Sequence, residues 1–597
     1  MHFFKKLIKK RNIKRVSIAI TIALLIILLL ILVSVDLKNS TLFDIILLPV
    51  TDKFYTGKTT GTNGEIKKKK KNFDAVIKYI NKFDPQVTLP SSFNFEENDT
   101  TNKPKKNSLG DYIQKGDNIG TGNNDIENWS KASYNYLSNN FLILNDDIKK
   151  NVINSHSSII ESLNSTNSLP YLGESYYNGN GIVLVGGGDY SLMVFAVIKV
   201  IRATGTTLPI EVVIPDLNVK KSDTKFCSLI QDYNSSCVFL NNHFNSKVLK
   251  ESQFEGFQYK SLALLVSSFQ NVLLLDADDY PVMKLDDIFD HKSFKDTGMI
   301  VWPDMWRRTT HPFFYESANI TINFDKRERN FIDSFSNMRT YVPEGIDLLT
   351  DVPYHDFAGA LPDPASETGQ FMIDKKKHWK SLILSFYYNT FGPNVYYHLM
   401  TQYSAGQGDK ETFIAAAHML DLPYYQVLST ATMDGYHQQD GSGFKSTAYY
   451  QKDFRNDYEI KSKLLTLSKD NNIININNHK DVEKDYNPLK IKETLFSATT
   501  TEEYAMFAHC NFPKFNPLEL TSHMEFVWNE NHFRALTKKK CLVNIDLEKV
   551  TIGSYHEILC ENGKQPLEQL ITDFKKVDKK QVCQYLKDRL EYLTNNR

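Results

Sequence analysis

Asn271-Val272-Leu273-Leu274-Leu275-Asp276-Ala277-Asp278-Asp279 decides how this chain is read. Val272 to Leu275 is an unbroken apolar run of strand length, and acids follow at once. Such a run suits a strand buried on both faces of a sheet. Carboxylates at the carboxyl end of that strand stand where α/β sheets bind their ligands. Asp276 and Asp278, two residues apart, converge once the chain turns, which is what one divalent ion needs. Clustered acids repel one another, so a cation or a helix N-terminus is expected beside them. A capped helix start before Leu285–Phe289 is the structural alternative, and the strand context favours a metal.

Upstream, the run Gly181-Ile182-Val183-Leu184-Val185 reads as another buried strand, closed by Gly186-Gly187-Gly188. Helical apolar spacing from Ser191 to Thr204 follows, with Gly205 as a stop signal, and Leu208–Pro215 is a second strand. Gln258 to Phe269 reads as a helix leading into the strand quoted above. Strands alternating with helices predict an α/β domain with a Rossmann-like parallel sheet and right-handed crossovers. The triple glycine has neither the G-x-G-x-x-G spacing nor a following G-K-[ST]. It is either a tight turn or a place where a nucleotide meets bare backbone, with Gly187 and Gly188 as the candidates.

At the N-terminus, Val16 to Val35 carries no charge, and its length of about 20 residues matches a membrane-spanning helix. Before it stand Lys5, Lys6, Lys9, Lys10, Arg11, Lys14 and Arg15 without an acid, so this end is expected in the cytosol. The span exceeds a cleaved signal core, and Ser34-Val35-Asp36-Leu37 is a poor cleavage site. The expected organisation is a cytosolic tail over 1–15, a signal anchor over 16–35, a luminal stem over 36–170 and a catalytic domain over 171–597. Within the stem, the apolar blocks Phe73–Phe83 and Tyr134–Leu144 suit short helices packed on the main domain, and the lysine run Lys67–Lys71 suits a solvated face. A luminal address makes the sequons at Asn98, Asn128, Asn164, Asn234 and Asn319 glycosylation candidates; Asn39 lies close to the membrane. It also permits disulfides among the six cysteines. No CxxC pair suggests zinc, Cys227 and Cys237 can close a short loop, and connectivity is otherwise open. Lys+Arg and Asp+Glu both total 70, which leaves no net field to attract nucleic acid.

The block Phe269–Asp278 looks like the D-x-D element of A-type glycosyltransferases. Five further blocks accompany it in order: Tyr259–Leu265, Trp302-Pro303-Asp304-Met305-Trp306, Glu367-Thr368-Gly369-Gln370, Lys375-Lys376-Lys377-His378-Trp379 and Gly408-Asp409-Lys410-Glu411-Thr412-Phe413. Together, over roughly Gly181 to Asn516, they resemble the fungal Golgi α-mannosyltransferases of glycosyltransferase family 71. The subgroup most like this chain adds α-1,2-linked mannose to the α-1,6-mannan backbone of N-glycans on glycoproteins. The resemblance implies an A-type catalytic domain, a GDP-mannose donor, net retention, and a single-pass type II protein of the Golgi membrane. Membership of a Golgi mannosyltransferase complex is a further expectation.

Carried onto these residues, the resemblance implies that Asp276 and Asp278 bind Mn²⁺ bridging the GDP diphosphate. Lys260 either reaches that diphosphate or lies on a helix surface, and the role of Asp279 is open. His509-Cys510-Asn511-Phe512-Pro513-Lys514 has histidine and lysine five apart, similar to the H-x-x-G-x-x-K patch of other retaining A-type enzymes, but one residue shorter and without the glycine. His509 is the candidate third metal ligand and Lys514 the candidate diphosphate contact. Glu367 and Asp409 are acceptor-side candidates; Asp409 alternatively caps the helix Thr412–Leu420. Asp304 is an acceptor contact or a second catalytic acid, and Trp302, Trp306 and Trp379 stack on sugars or belong to the core. The rival functions are an α-1,3-mannosyltransferase of the same family and an inactive scaffold or lectin-like subunit. A calcium-binding adhesion protein fails for lack of repeated acidic loops.

Overall fold

The computed structural model describes residues 63–89, 130–165, 169–216, 221–331, 344–469, 505–537, 545–561 and 578–596, with short pieces at 105–106, 112–113, 118–120 and between 333 and 342. The expected tail and anchor over 1–35, the sequons at Asn39, Asn98 and Asn128, and Cys541 lie outside the described residues. Among the described residues no helix is long and apolar enough to cross a membrane.

Residues from Gly61 onward form one compact unit. In chain order, the elements that shape the site begin with α1 (Asn63–Asn81), α2 (Asp146–Asn164), β1 (Asn180–Val185), α3 (Tyr190–Ala203), β2 (Ile210–Ile214) and β3 (Ser235–Phe239). Then come α4 (Gln258–Val266), β4 (Asn271–Leu275), β5 (Asp279–Pro281), β6 (Met299–Pro303), β7 (Ser366–Asp374), α5 (Trp379–Thr390) and α6 (Thr412–Met419). The rest are β8 (Tyr425–Gln426), β9 (Thr432–His437), β10 (Phe444–Lys452), β11 (Ala505–Cys510), α7 (Leu547–Cys560) and α8 (Lys579–Asn595). A seven-stranded sheet runs in the order β8-β6-β7-β4-β1-β2-β3, and a four-stranded antiparallel sheet runs β9-β10-β11-β5.

The expected parallel sheet needs one correction. β1, β2, β3 and β4 are parallel, but β7 lies antiparallel between β4 and β6. The reversal places the start of β7, rather than its end, beside the carboxyl end of β4: Gln370 pairs with Leu275, so Glu367, Thr368 and Gly369 lie beyond that strand's last residue. Period and punctuation identify a strand, but its direction depends on where the long connection after β6 returns.

α3 is apolar on nearly every side because the sheet covers one face and α7 the other; Val194, Phe195, Ala196, Val197 and Ile198 are all buried. On the other sheet face, α4, α5 and α6 pack together, with Phe371 of β7 stacked on Phe413 of α6 at 4.5 Å. Stretches inside the expected stem belong to this core: Phe73, Val76, Ile77 and Ile80 of α1, and Val152, Ile159 and Leu163 of α2, are buried. Asn145 caps α2 by accepting the amide of Ile148 at 2.9 Å. Cys227 is bonded to Cys237, the short-loop pairing, and Cys560 to Cys583, which ties the end of α7 to α8. Among the described residues Cys510 is a buried thiol outside any disulfide.

Trp302 and Trp379 are core residues, not sugar platforms. Trp302 is fully buried and donates Nε1 to the carbonyl of Lys452, while Trp379 donates to that of Leu169. Trp306 is half-buried.

Candidate active site

β4 ends at Leu275, and the Asp276 amide donates to the Gly369 carbonyl at 2.7 Å. The chain then turns, with the Asp279 amide donating to the Asp276 carbonyl, and re-enters strand structure at once as β5 of the second sheet. Asp276-Ala277-Asp278 is therefore the corner joining two sheets, and no capped helix begins there. The Cys510 amide donates to the Asp278 carbonyl at 2.9 Å, and His509 of β11 pairs directly with Asp279. One ligand atom each from Asp276, Asp278 and His509 lies within 4.8 Å of the others. Two carboxylate oxygens and an imidazole nitrogen are a donor set that one divalent cation can use.

The surrounding charges are set by burial and pairing. Lys514 Nζ lies 2.6 Å from Asp278 Oδ2, and His509 Nε2 lies 3.5 Å from Asp278 Oδ1. Burial alone would raise the Asp278 carboxyl, yet these two cations hold it well below the usual carboxylate range. Burial works against a charged imidazole at His509, and Asp278 outweighs it, holding the ring up to about 10. Asp279 is different. It is fully buried, neither carboxylate oxygen has a hydrogen-bond partner among the described residues, and burial with its acidic neighbours pushes it up to about 8, so it carries its proton at neutral pH.

Lys260 is not on a helix surface. Its ammonium lies 2.9 Å from Asp276, 3.0 Å from the Thr368 carbonyl and 3.5 Å from Asp409 Oδ2. Burial lowers its basicity and the two carboxylates more than restore it. It thus ties the metal corner to Asp409. That aspartate does not cap α6: a 3-10 turn over Asp409–Glu411 intervenes, and its carboxylate turns inward to Lys260 and the Thr368 hydroxyl at 3.2 Å. Burial first, and then the balance of Lys260 against Asp276, sets its carboxyl at about 6.

Glu367 folds the β7 bulge around itself, with Oε1 accepting the amides of Thr368 at 2.8 Å and Gly369 at 2.7 Å. Gly369 is required for closeness: a Cβ there would stand 2.9 Å from His509 Nδ1 and 3.3 Å from Asp279 Oδ2. Asp304 lies at the end of β6, ion-paired with Lys410 at 2.5 Å. Gly187 and Gly188, at φ 99° and 55°, turn the chain after β1 at the same sheet edge as Asp276. A Cβ at Gly188 would meet nothing within 4 Å among the described residues, and Tyr190 beyond it is 61% exposed.

The fold therefore gathers Asp276, Asp278, His509, Lys514, Lys260, Asp409 and Glu367, with Asp304 on the flank. Lys410 and Tyr449 were not singled out from sequence, and Thr368 only as a polar group beside Glu367. Lys410 and Thr368 stand inside quoted blocks and were legible as partners of neighbouring acids; Tyr449 depends on strand register and gave no local signal. Among the sequons, Asn164, Asn234 and Asn319 are exposed, although the Asn234 side-chain amide donates to the Thr207 carbonyl at 3.1 Å.

Residues 179–453 match the family model for mannosyltransferases. The chain is 39% identical over 433 residues to the α-1,2-mannosyltransferase MNN2 of Saccharomyces cerevisiae, an alignment covering 70% of each protein. It is 34% identical over 484 residues to the α-1,2-mannosyltransferase MNN5 of the same yeast, covering 78% of this chain and 81% of that one. Among solved structures, the glycosyltransferase GlyE of Streptococcus pneumoniae TIGR4 overlaps 42% of this chain and 45% of its own at 13% identity, with a TM-score of 0.23. That overlap is too loose to bear on the fold.

Proposed function

Because the chain belongs to the mannosyltransferase family, we propose that it transfers mannose from GDP-mannose, in α-1,2 linkage and with retention, onto the α-1,6-mannan backbone of N-glycans. The observation that carries this reading is the Asp276–Asp278–His509 cluster at the carboxyl edge of β4. An A-type glycosyltransferase domain accounts for a parallel nucleotide-binding half, an antiparallel β7 and an acidic corner between two sheets. Asp276, Asp278 and His509 would hold Mn²⁺, which when bound supplies Lewis-acid stabilisation of the leaving diphosphate. Lys514, paired with Asp278 at 2.6 Å, would bind a diphosphate oxygen once Asp278 is shared. Lys260 fixes the rotamer of Asp276 and holds Asp409 against the floor of the site. Asp409, Glu367 and Asp304 supply the oxygen acceptors that sugar hydroxyls need. The linkage rests on the names borne by the yeast relatives, which favour α-1,2 over α-1,3. A scaffold or lectin-like subunit has no use for clustered acids held by two cations.

A Golgi address with the catalytic unit in the lumen is supported by the basic flank and uncharged run over 1–35, and by the two disulfides. The test is transfer by the purified full chain, kept in detergent, with GDP-mannose, Mn²⁺ and an α-1,6-mannan oligosaccharide. Asp276→Asn and Asp278→Asn are run alongside, and the product is digested with α-1,2-specific mannosidase. Metal-dependent transfer that both variants lose, giving a digestible product, supports donor, site and linkage together. A resistant product moves the linkage to α-1,3, and no transfer by folded protein removes the enzymatic reading.

A further inference from the structure

The second sheet carries a row of side chains that leads out of the metal corner. Asp279 pairs with His509, His509 with Tyr449, and Tyr449 with Met433, across β5, β11, β10 and β9. Directly paired residues share a face of a sheet, so these four side chains stand in one line. At about 4.8 Å per strand the line runs about 14 Å. Exposure rises along it, from 0% at Asp279 and 8% at His509, through a half-exposed Tyr449, to 47% at Met433.

Its surroundings make it a track. The opposite face of the sheet is closed: Tyr280, Ala508 and Tyr450 are buried. The next row is roofed by the end of β6, where Phe507 packs on Trp302 and Gln451 donates to the Pro303 carbonyl at 2.9 Å. Asp304 follows Pro303 at that roof and Glu367 pairs with Trp302 beside it, so both carboxylates border the row near Tyr449. Oε2 of Glu367 makes no hydrogen bond among the described residues. An aromatic ring, a thioether and flanking carboxylates suit a neutral polyhydroxylated chain, whose C–H faces pack on the ring while its hydroxyls donate to the acids.

Resting on the function proposed above, we propose that the row Tyr449–Met433 is the acceptor track, with the mannose that receives the new bond over Tyr449 and its neighbour in the chain over Met433. Tyr449 and Met433 would then set how the acceptor binds and how long an acceptor the enzyme prefers. They do not touch the donor.

The test measures separate KM values for GDP-mannose and for α-1,6-linked acceptors of one, two and four mannoses, using the full chain and its Tyr449→Ala, Tyr449→Phe and Met433→Ala variants. Tyr449→Ala should raise acceptor KM about tenfold with donor KM unmoved, and Tyr449→Phe should recover most of that. Met433→Ala, an exposed site where folding is not at risk, should leave the one-mannose acceptor unaffected and erase the advantage of the longer ones. Unchanged acceptor KM in both alanine variants, or donor KM rising in step with it, overturns the track. If the wild-type chain itself transfers nothing, the function proposed above fails and the track falls with it, a result seen without any variant.

Discussion

At the scale of single residues, the site is a set of charges that each make sense only with their neighbours. His509 is the clearest case. Asp278 holds its imidazole up to about 10, whereas a metal ligand must be neutral. Metal entry at pH 7 therefore displaces a proton, and affinity should rise with pH toward that value. Calorimetric titration of Mn²⁺ in buffers of different ionisation heat should show about one proton released per ion, absent in His509→Gln. Asp409 acts in the same direction but at lower pH. Its carboxyl sits at about 6, so the carboxylate is present above that pH and lost below it. On the acid side kcat/KM should fall about tenfold per unit below pH 6, and Asp409→Asn should be slow with that limb missing from its pH–rate profile. Asp278→Asn removes the charge that both His509 and Lys514 are arranged around; kcat should drop at least about a hundredfold with the unfolding temperature little changed.

Elements bring these residues together, and here the limits of sequence are physical ones. β1, α3, β2 and β4 were legible because unbroken apolar runs and glycine punctuation are local signals, and the first two acids after Leu275 marked the site for the same reason. β7 was visible as a block around Glu367, yet its antiparallel direction is decided by a connection of some sixty residues after β6. The position of His509 opposite Asp279 is a pairing between strands more than two hundred residues apart, and only resemblance pointed to it. For Lys260 the sequence leaves a diphosphate contact and a helix surface both open, because nothing local says that Asp409 will close over it. Gly369 tests the packing between elements. Gly369→Ala would push its methyl into His509, so metal affinity should fall about tenfold or more while the far end of β7 keeps its pairing. Metal titration of folded variant protein checks this, and unaltered affinity would mean that His509 is free to give way.

For the molecule as a whole, the catalytic body reaches further toward the N-terminus than a boundary at residue 171 allows. α1 and α2 bury Phe73, Ile77, Val152 and Ile159 against the helices that back the sheet. A fragment of 171–597 should aggregate or bind a hydrophobic dye, and one of 61–597 should elute as folded monomer; size-exclusion chromatography separates the two outcomes. At the other end, Cys560–Cys583 holds α8 to α7 and through it to α3. Replacing both cysteines by serine should cost about 3 kcal/mol of unfolding free energy, read from denaturant melts. The corner at Asp276–Asp279 also governs what lengths this protein can have. One residue more or fewer between Leu275 and Asp279 would turn β5 over and carry Asp279 away from His509, because a strand's two faces alternate. A change of length in a surface connection reverses no strand, so the same limit does not apply there. Across these four residues the count itself is under constraint.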